Sequence, residues 1–102
     1  MAKLFVTYQR PADTAAFDAH YAEKHVPLVK AIPGIRHFEL TSGDITTMAG
    51  REGIYLIATL EFDSVAAIQA ALATPQGQAA AGDLANFAGA GVDLMMSETK
   101  VL

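Results

Sequence analysis

The sequence predicts an α+β fold of the ferredoxin-like kind, a four-stranded antiparallel sheet with both helices on one face in the order βαββαβ. Three observations predict it. Four segments of strand length are rich in β-branched and aromatic residues. Between them lie stretches with apolar residues at helical spacing, and the breaks fall at Pro, Gly, Asp and Ser. At 102 residues, the chain has the size of one domain, so residues 1–102 are expected to share a single core.

The first strand is "KLFVTYQ", Lys3 to Gln9, stopped by "RPAD". Asp13 or Thr14 then caps a helix from about Thr14 to His25. It is expected to end there because Pro27 disfavours helical dihedrals at Val26 and has no amide proton of its own, although a last turn can resume before Pro33. Pro33-Gly34 marks a turn into the second strand, Ile35 to Thr41. The polar connection that follows carries Gly43, Gly50 and Gly53 and reads as a long mobile loop, a candidate flap.

Ile54 to Phe62 is the clearest strand, with Ile54, Leu56, Ala58, Leu60 and Phe62 on one face. Asp63 or Ser64 caps the next helix, whose stripe is Val65, Ile68 and Leu72. Thr74-Pro75 restarts the chain as a second helical piece with Ala80, Leu84 and Phe87 as its apolar face, Pro being pre-set for a first helical position. After "AGAG", the segment "VDLMMSETKVL" supplies the fourth strand.

Apolar residues make up 52% of the chain and charged ones 18%, a rich mixture for a domain this small. Both faces of the sheet carry part of it: Leu4, Val6 and Tyr8 point one way and Phe5 the other, and Tyr55 and Ile57 lie on the second face of the third strand. An antiparallel sheet with one wet face would alternate more cleanly, so a homodimer packed sheet against sheet is expected. The net charge of −4 and the scattered Lys and Arg argue against nucleic acid as a partner. No apolar run approaches a membrane span and "MAKLFVTY" has no signal-like pattern, so no membrane partner and a cytoplasmic location are expected. Without cysteine there is no disulfide framework, thiolate nucleophile or zinc ribbon. No phosphate loop or nucleophile elbow is present.

The residues left for chemistry are few. Phe17, Tyr21 and His25 recur every four residues on one helical face, so an apolar stripe ends in an imidazole. His25 can move a proton near neutral pH, or it can merely bond the last carbonyls of its helix. His20 lies about 140° away around an α-helix, so the two are not expected to share one metal as a pair four apart would, and no metal site is expected. On the second strand, Phe38 is taken as inward with Leu40, and His37 as outward. Tyr21 and Tyr55 suit the wall of a pocket for a small hydrophobic molecule. Asp83 can orient a histidine or stand as a solvated helical carboxylate, and Asn86 neighbours it three residues on.

"YQRPADTAAFDAHYAEKHVPLVKAIPGIRHFEL" resembles the EthD family of dimeric α+β barrel proteins. Tyr8, Pro11, Phe17, Tyr21, His25, Pro27, Leu28, Pro33 and Gly34 fill the places of that family's pattern. The second half is also similar, through Phe62, Ser64, Gly77, Asp83, Asn86 and Phe87. The resemblance implies a homodimer with facing sheets and a pocket between sheet and helices. It implies a cofactor-free oxidoreductase or accessory enzyme acting on an ether, aromatic or quinone-like compound, with His25 in proton transfer and Asp83 in support. Phe17, Tyr21, Phe38 and Tyr55 would be the walls. The rival readings are a non-catalytic carrier or oxygenase accessory protein, a lactone isomerase or polyketide cyclase-like enzyme, and haem binding at His25. In the isomerases the place of Phe38 holds Tyr, a hydroxyl this chain lacks there.

Overall fold

Alternation along the first strand sets the architecture. In the computed structural model, which describes residues 1–102, Ala2, Leu4, Val6 and Tyr8 of β1 (Ala2–Gln9) are buried while their neighbours are half covered. β1 lies between β3 (Ile54–Phe62) and β4 (Val92–Glu98), and β2 (His37–Leu40) adds to the far side of β3, giving the antiparallel order β2-β3-β1-β4. The expected four-stranded ferredoxin-like α+β fold is therefore present. The register sets Leu4 beside Leu60 and Met96, and Tyr8 beside Leu56 and Val92, so the buried residues of β1 and β3 share one face, which continues onto the half-covered and exposed residues of β4.

Helices cover that face. α1 (Thr14–His20), α2 (Val26–Lys30), α3 (Val65–Leu72) and α4 (Pro75–Phe87) contribute Phe17, Val29, Ile68, Ala71 and Ala80 to the core. Asp13, Ser64 and Thr74 cap the three that begin after loops, each accepting a backbone N–H with its side chain. α4 packs tightly on the end of α3 at Gly77. A Cβ there would run into the Ala71 carbonyl and come within 2.6 Å of the Leu72 Cα.

Pro27 does not end the first helix. The chain passes from α1 through a π-helical turn, Tyr21–His25, directly into α2, and the Val26 N–H bonds the Tyr21 carbonyl five residues back. The wider turn makes room for the proline ring where an α-helix would drive it into the carbonyl four residues earlier. Proline has thus changed the pitch of the helix rather than cut it. Two strands are shorter than expected: β2 has only four residues, and β4 stops at Glu98. The connection from Thr41 to Gly53 has no regular structure and stays exposed apart from Thr41 and Ile45.

The other face of the sheet has no helix over it. Phe5 and Ile57 are half-buried there and Met95 is exposed, with Lys3, Thr7, Thr59 and Glu61 around them.

Candidate functional site

The π turn and α4 together make the site. His25 closes the π turn, is 4% exposed, and points its Nδ1 at the Oδ2 of Asp83 on α4, 2.9 Å away. A carboxylate only accepts, so the Nδ1 carries the proton and, in the neutral ring, the Nε2 keeps a lone pair. The Tyr8 hydroxyl from β1 is directed at that Nε2 from 3.5 Å, a long contact.

Asp83 takes two more donors. The Asn86 amide donates to Oδ1 at 3.0 Å, one helical turn along α4. His20 sets its Nε2 2.9 Å from Oδ1 and 3.0 Å from Oδ2. The sharing corrects the expectation that His20 and His25 diverge. An α-helix would separate residues five apart, but the wide turn between them brings both imidazoles to one side. Burial likewise corrects the alternative of a solvated Asp83, which is only 7% exposed.

The environment acts on each group in a stated direction. Desolvation lowers the affinity of His25 for a proton, outweighing the hydrogen bond and charge of Asp83, and so favours the neutral ring. Burial alone would raise the Asp83 carboxyl, but hydrogen bonds from Asn86, His20 and His25 together hold it below the ordinary carboxylate value. Burial pushes Tyr21 up to about 12 and Tyr8 further, so both hydroxyls stay protonated. The buried Tyr21 hydroxyl has no hydrogen-bond partner.

Both tyrosines and the His25 ring border a cavity of about 40 Å³ between α4 and the sheet. Ala80 and Leu84 roof it, Leu4 and Leu60 floor it, and Leu94 stands at the edge of the sheet. In this state it has room for a water molecule or two and none for a haem.

The structure brings His25, Asp83, Tyr21 and Phe38 to this cavity and its wall, Asp83 reaching it through His25. Phe17 lies behind it, edge-on to Tyr8 and stacked on Tyr21. Tyr55 stands apart. A bulge in β1–β3 pairing turns its ring against Phe17, its hydroxyl donates to Asp18 at 2.8 Å, and Arg10 lies over it. His37 is exposed and bonds Glu39. Sequence reasoning missed Tyr8 and His20 as members of the site. The signal for His20 was Pro27 itself, since an amphipathic stripe that continues past a proline implies a distorted turn upstream.

With this geometry in place, comparison with known proteins gives the lineage. Residues 9–91 match the EthD domain. The chain belongs to the EthD family. An uncharacterized 11.0 kDa protein of Rhodococcus erythropolis, from the thcB–thcC intergenic region, is 41% identical over all of this chain and 98% of its own length. The crystal structure of an EthD family protein from Bacillus halodurans is 35% identical, with a TM-score of 0.88 over 98% of this chain and 99% of that one. SnoaB, a cofactor-independent oxygenase from Streptomyces nogalater, shares the fold at a TM-score of 0.70, with 14% identity over 99% of this EthD chain and 94% of its own.

Acid should weaken this EthD domain through the buried pair. The folded state holds His25 below its ordinary 6.5, so the unfolded chain takes up the proton first and stability falls as pH drops through that value. Asp83 adds a second loss below 3.8, as pH falls through its lowered folded value. Denaturant midpoints of wild type and His25→Gln, measured above and below pH 6.5, should show the smaller decline in the variant. The difference should approach at most about 1.4 kcal/mol per pH unit, and equal declines would remove His25 as the cause.

Proposed function

We propose that this EthD protein binds a small hydrophobic molecule of ether, aromatic or quinone-like type beneath α4, and that His25 takes a proton from it and returns one. The role is a step in degradation or tailoring of such compounds, as a cofactor-free oxidoreductase or an accessory enzyme. Membership in the EthD family and a fold shared with a cofactor-independent oxygenase support the small-molecule reading. The observation that carries it is the buried Asp83–His25 pair whose unprotonated Nε2 lies at an apolar cavity, with only the Tyr8 hydroxyl directed at it.

A desolvated, neutral imidazole is a base ready to accept a proton, and the carboxylate behind it compensates the charge that then forms. The Tyr8 and Tyr21 hydroxyls stay protonated and are placed to donate to a developing oxyanion. They occupy the region where Phe38 brings no hydroxyl of its own. α4 lies over the gap, and exposed Leu94 and Ala81 stand at its border. That helix packs mainly on α2, α3 and the π turn, and small Ala80 and Ala81 face the gap beneath it.

The open face of the sheet supports the second half of the proposal, a homodimer. Phe5, Ile57 and Met95 form an apolar centre with polar residues at its rim, and a two-fold axis would make that patch cover itself. Sedimentation of wild type at micromolar concentration should show dimers and Ile57→Lys should show monomers. Monomers in both would remove the dimer.

For the chemistry, purified protein is offered simple quinols and alkyl aryl ethers while oxygen uptake and absorbance are followed. His25→Gln should keep the fold and lose about a hundredfold or more of any turnover. Equal rates would take His25 out of the mechanism, and binding of the quinol without turnover in wild type would point to a carrier.

A further inference from the structure

The site holds more imidazole than proton abstraction needs. His25 meets only Asp83 and Tyr8 among polar groups, and its cavity is otherwise walled by apolar and aromatic residues. His20, on the other side of the same carboxylate, has about a quarter of its side chain exposed. It lines an open groove of about 590 Å³ together with Asp13, Phe17, Asn86 and Phe87. The Phe87 ring separates the two sides, stacked on His20 with centroids 5.0 Å apart and tilted against His25 at 4.8 Å.

We propose that His20, Asp83 and His25 act as one unit in which only one of the two imidazoles is charged at a time: His25 exchanges its proton with a ligand in the cavity and His20 exchanges its own with water in the groove. His20 is a positioning residue here, and the inference rests on the reading that His25 handles the ligand's proton. One carboxylate compensates one imidazolium. A second charge on the other ring would stand uncompensated beside the first, so protonation of either ring opposes protonation of the other, and by linkage equally in both directions.

The proton balance follows. The ligand's X–H bond breaks, its electron pair stays on X, and the proton forms an Nε2–H bond on His25. The charge so created drives the Nδ1–H of protonated His20 to break, its proton passing to water in the groove. The His25 Nδ1–H and the His20 Nε2–H stay intact and hydrogen-bonded to Asp83 throughout, so no proton crosses the carboxylate. Return of the proton to the ligand reverses both events.

The groups that face this unit are few: Tyr8 from β1 and Tyr21 from the π turn beside His25, Asp83 and Asn86 from α4, and Asp13 sharing the groove with His20. Neither tyrosine titrates with the imidazoles, because burial holds both hydroxyls protonated.

The test follows the histidine ring carbon resonances of the full chain by NMR as pH is varied, in wild type, His20→Gln and His20→Lys. Removing the outer charge with Gln should move the His25 midpoint to higher pH by about half a unit or more, whereas the permanent charge of Lys should hold it at or below the wild-type position. Substituting His25 by Gln should raise the His20 midpoint by the same amount as the first shift. A loss of packing alone would move the two His20 variants in the same direction. Superimposable His25 curves, shifts of one sign in both variants, or a His25 that never titrates would overturn the proposal. The readout needs no ligand, so coupling without turnover would leave this inference standing and remove the proposed chemistry, and turnover without coupling would do the reverse.

Discussion

A carboxylate buried at Asp83 is the constraint on which the rest depends. An ionised group out of water costs several kcal/mol unless donors surround it, and here Asn86, His20 and His25 do so from three directions. The histidine bonds tie α4 to the end of α1 and to the π turn. α4 otherwise packs mainly on α2 and α3, and the tie adds a polar anchor above the gap between it and the sheet. Taking away one of these donors costs about 1–3 kcal/mol, since the carboxylate loses one of its bonds and keeps the others. The same contact therefore serves the fold and the site.

Desolvation and the Asp83 charge pull His25 in opposite directions, and the outcome is useful for chemistry. With desolvation ahead, the resting ring is neutral and its Nε2 is available. With a carboxylate at its back, the charged ring is tolerated for as long as a ligand's proton sits on it. An imidazole in a wholly apolar pocket would lack the second property, and one on the surface would gain little from the first. The aromatic shell of Tyr8, Phe17, Tyr21 and Phe87 packs around the ring and holds it by edge and tilted contacts.

Most of the fold was legible in the sequence. Period-two patterning placed β1 and β3 almost to the residue, and Ser64, Thr74 and Pro75 marked the starts of α3 and α4. His25, Tyr21 and Phe38 were legible as members of one pocket because their spacing and parity are local properties. His20 was not, because an angle computed for a regular helix fails once Pro27 widens the turn before it. Tyr55 was misplaced for a similar reason: parity along β3 holds only until the bulge opposite Tyr8 and Gln9 shifts the register. Whether Asp83 is buried depends on how α4 meets the π turn, a tertiary fact that no pattern within α4 contains.

The central claim is that Asp83 fixes the His25 ring as the Nδ1–H tautomer with an unprotonated Nε2 facing the cavity and the Tyr8 hydroxyl. Long-range nitrogen–proton correlation spectra of wild-type protein labelled at histidine, recorded above pH 6.5, measure that directly. The account requires a protonated Nδ1 and an unprotonated Nε2 on His25, and the reverse tautomer or a fully charged ring at that pH would contradict it.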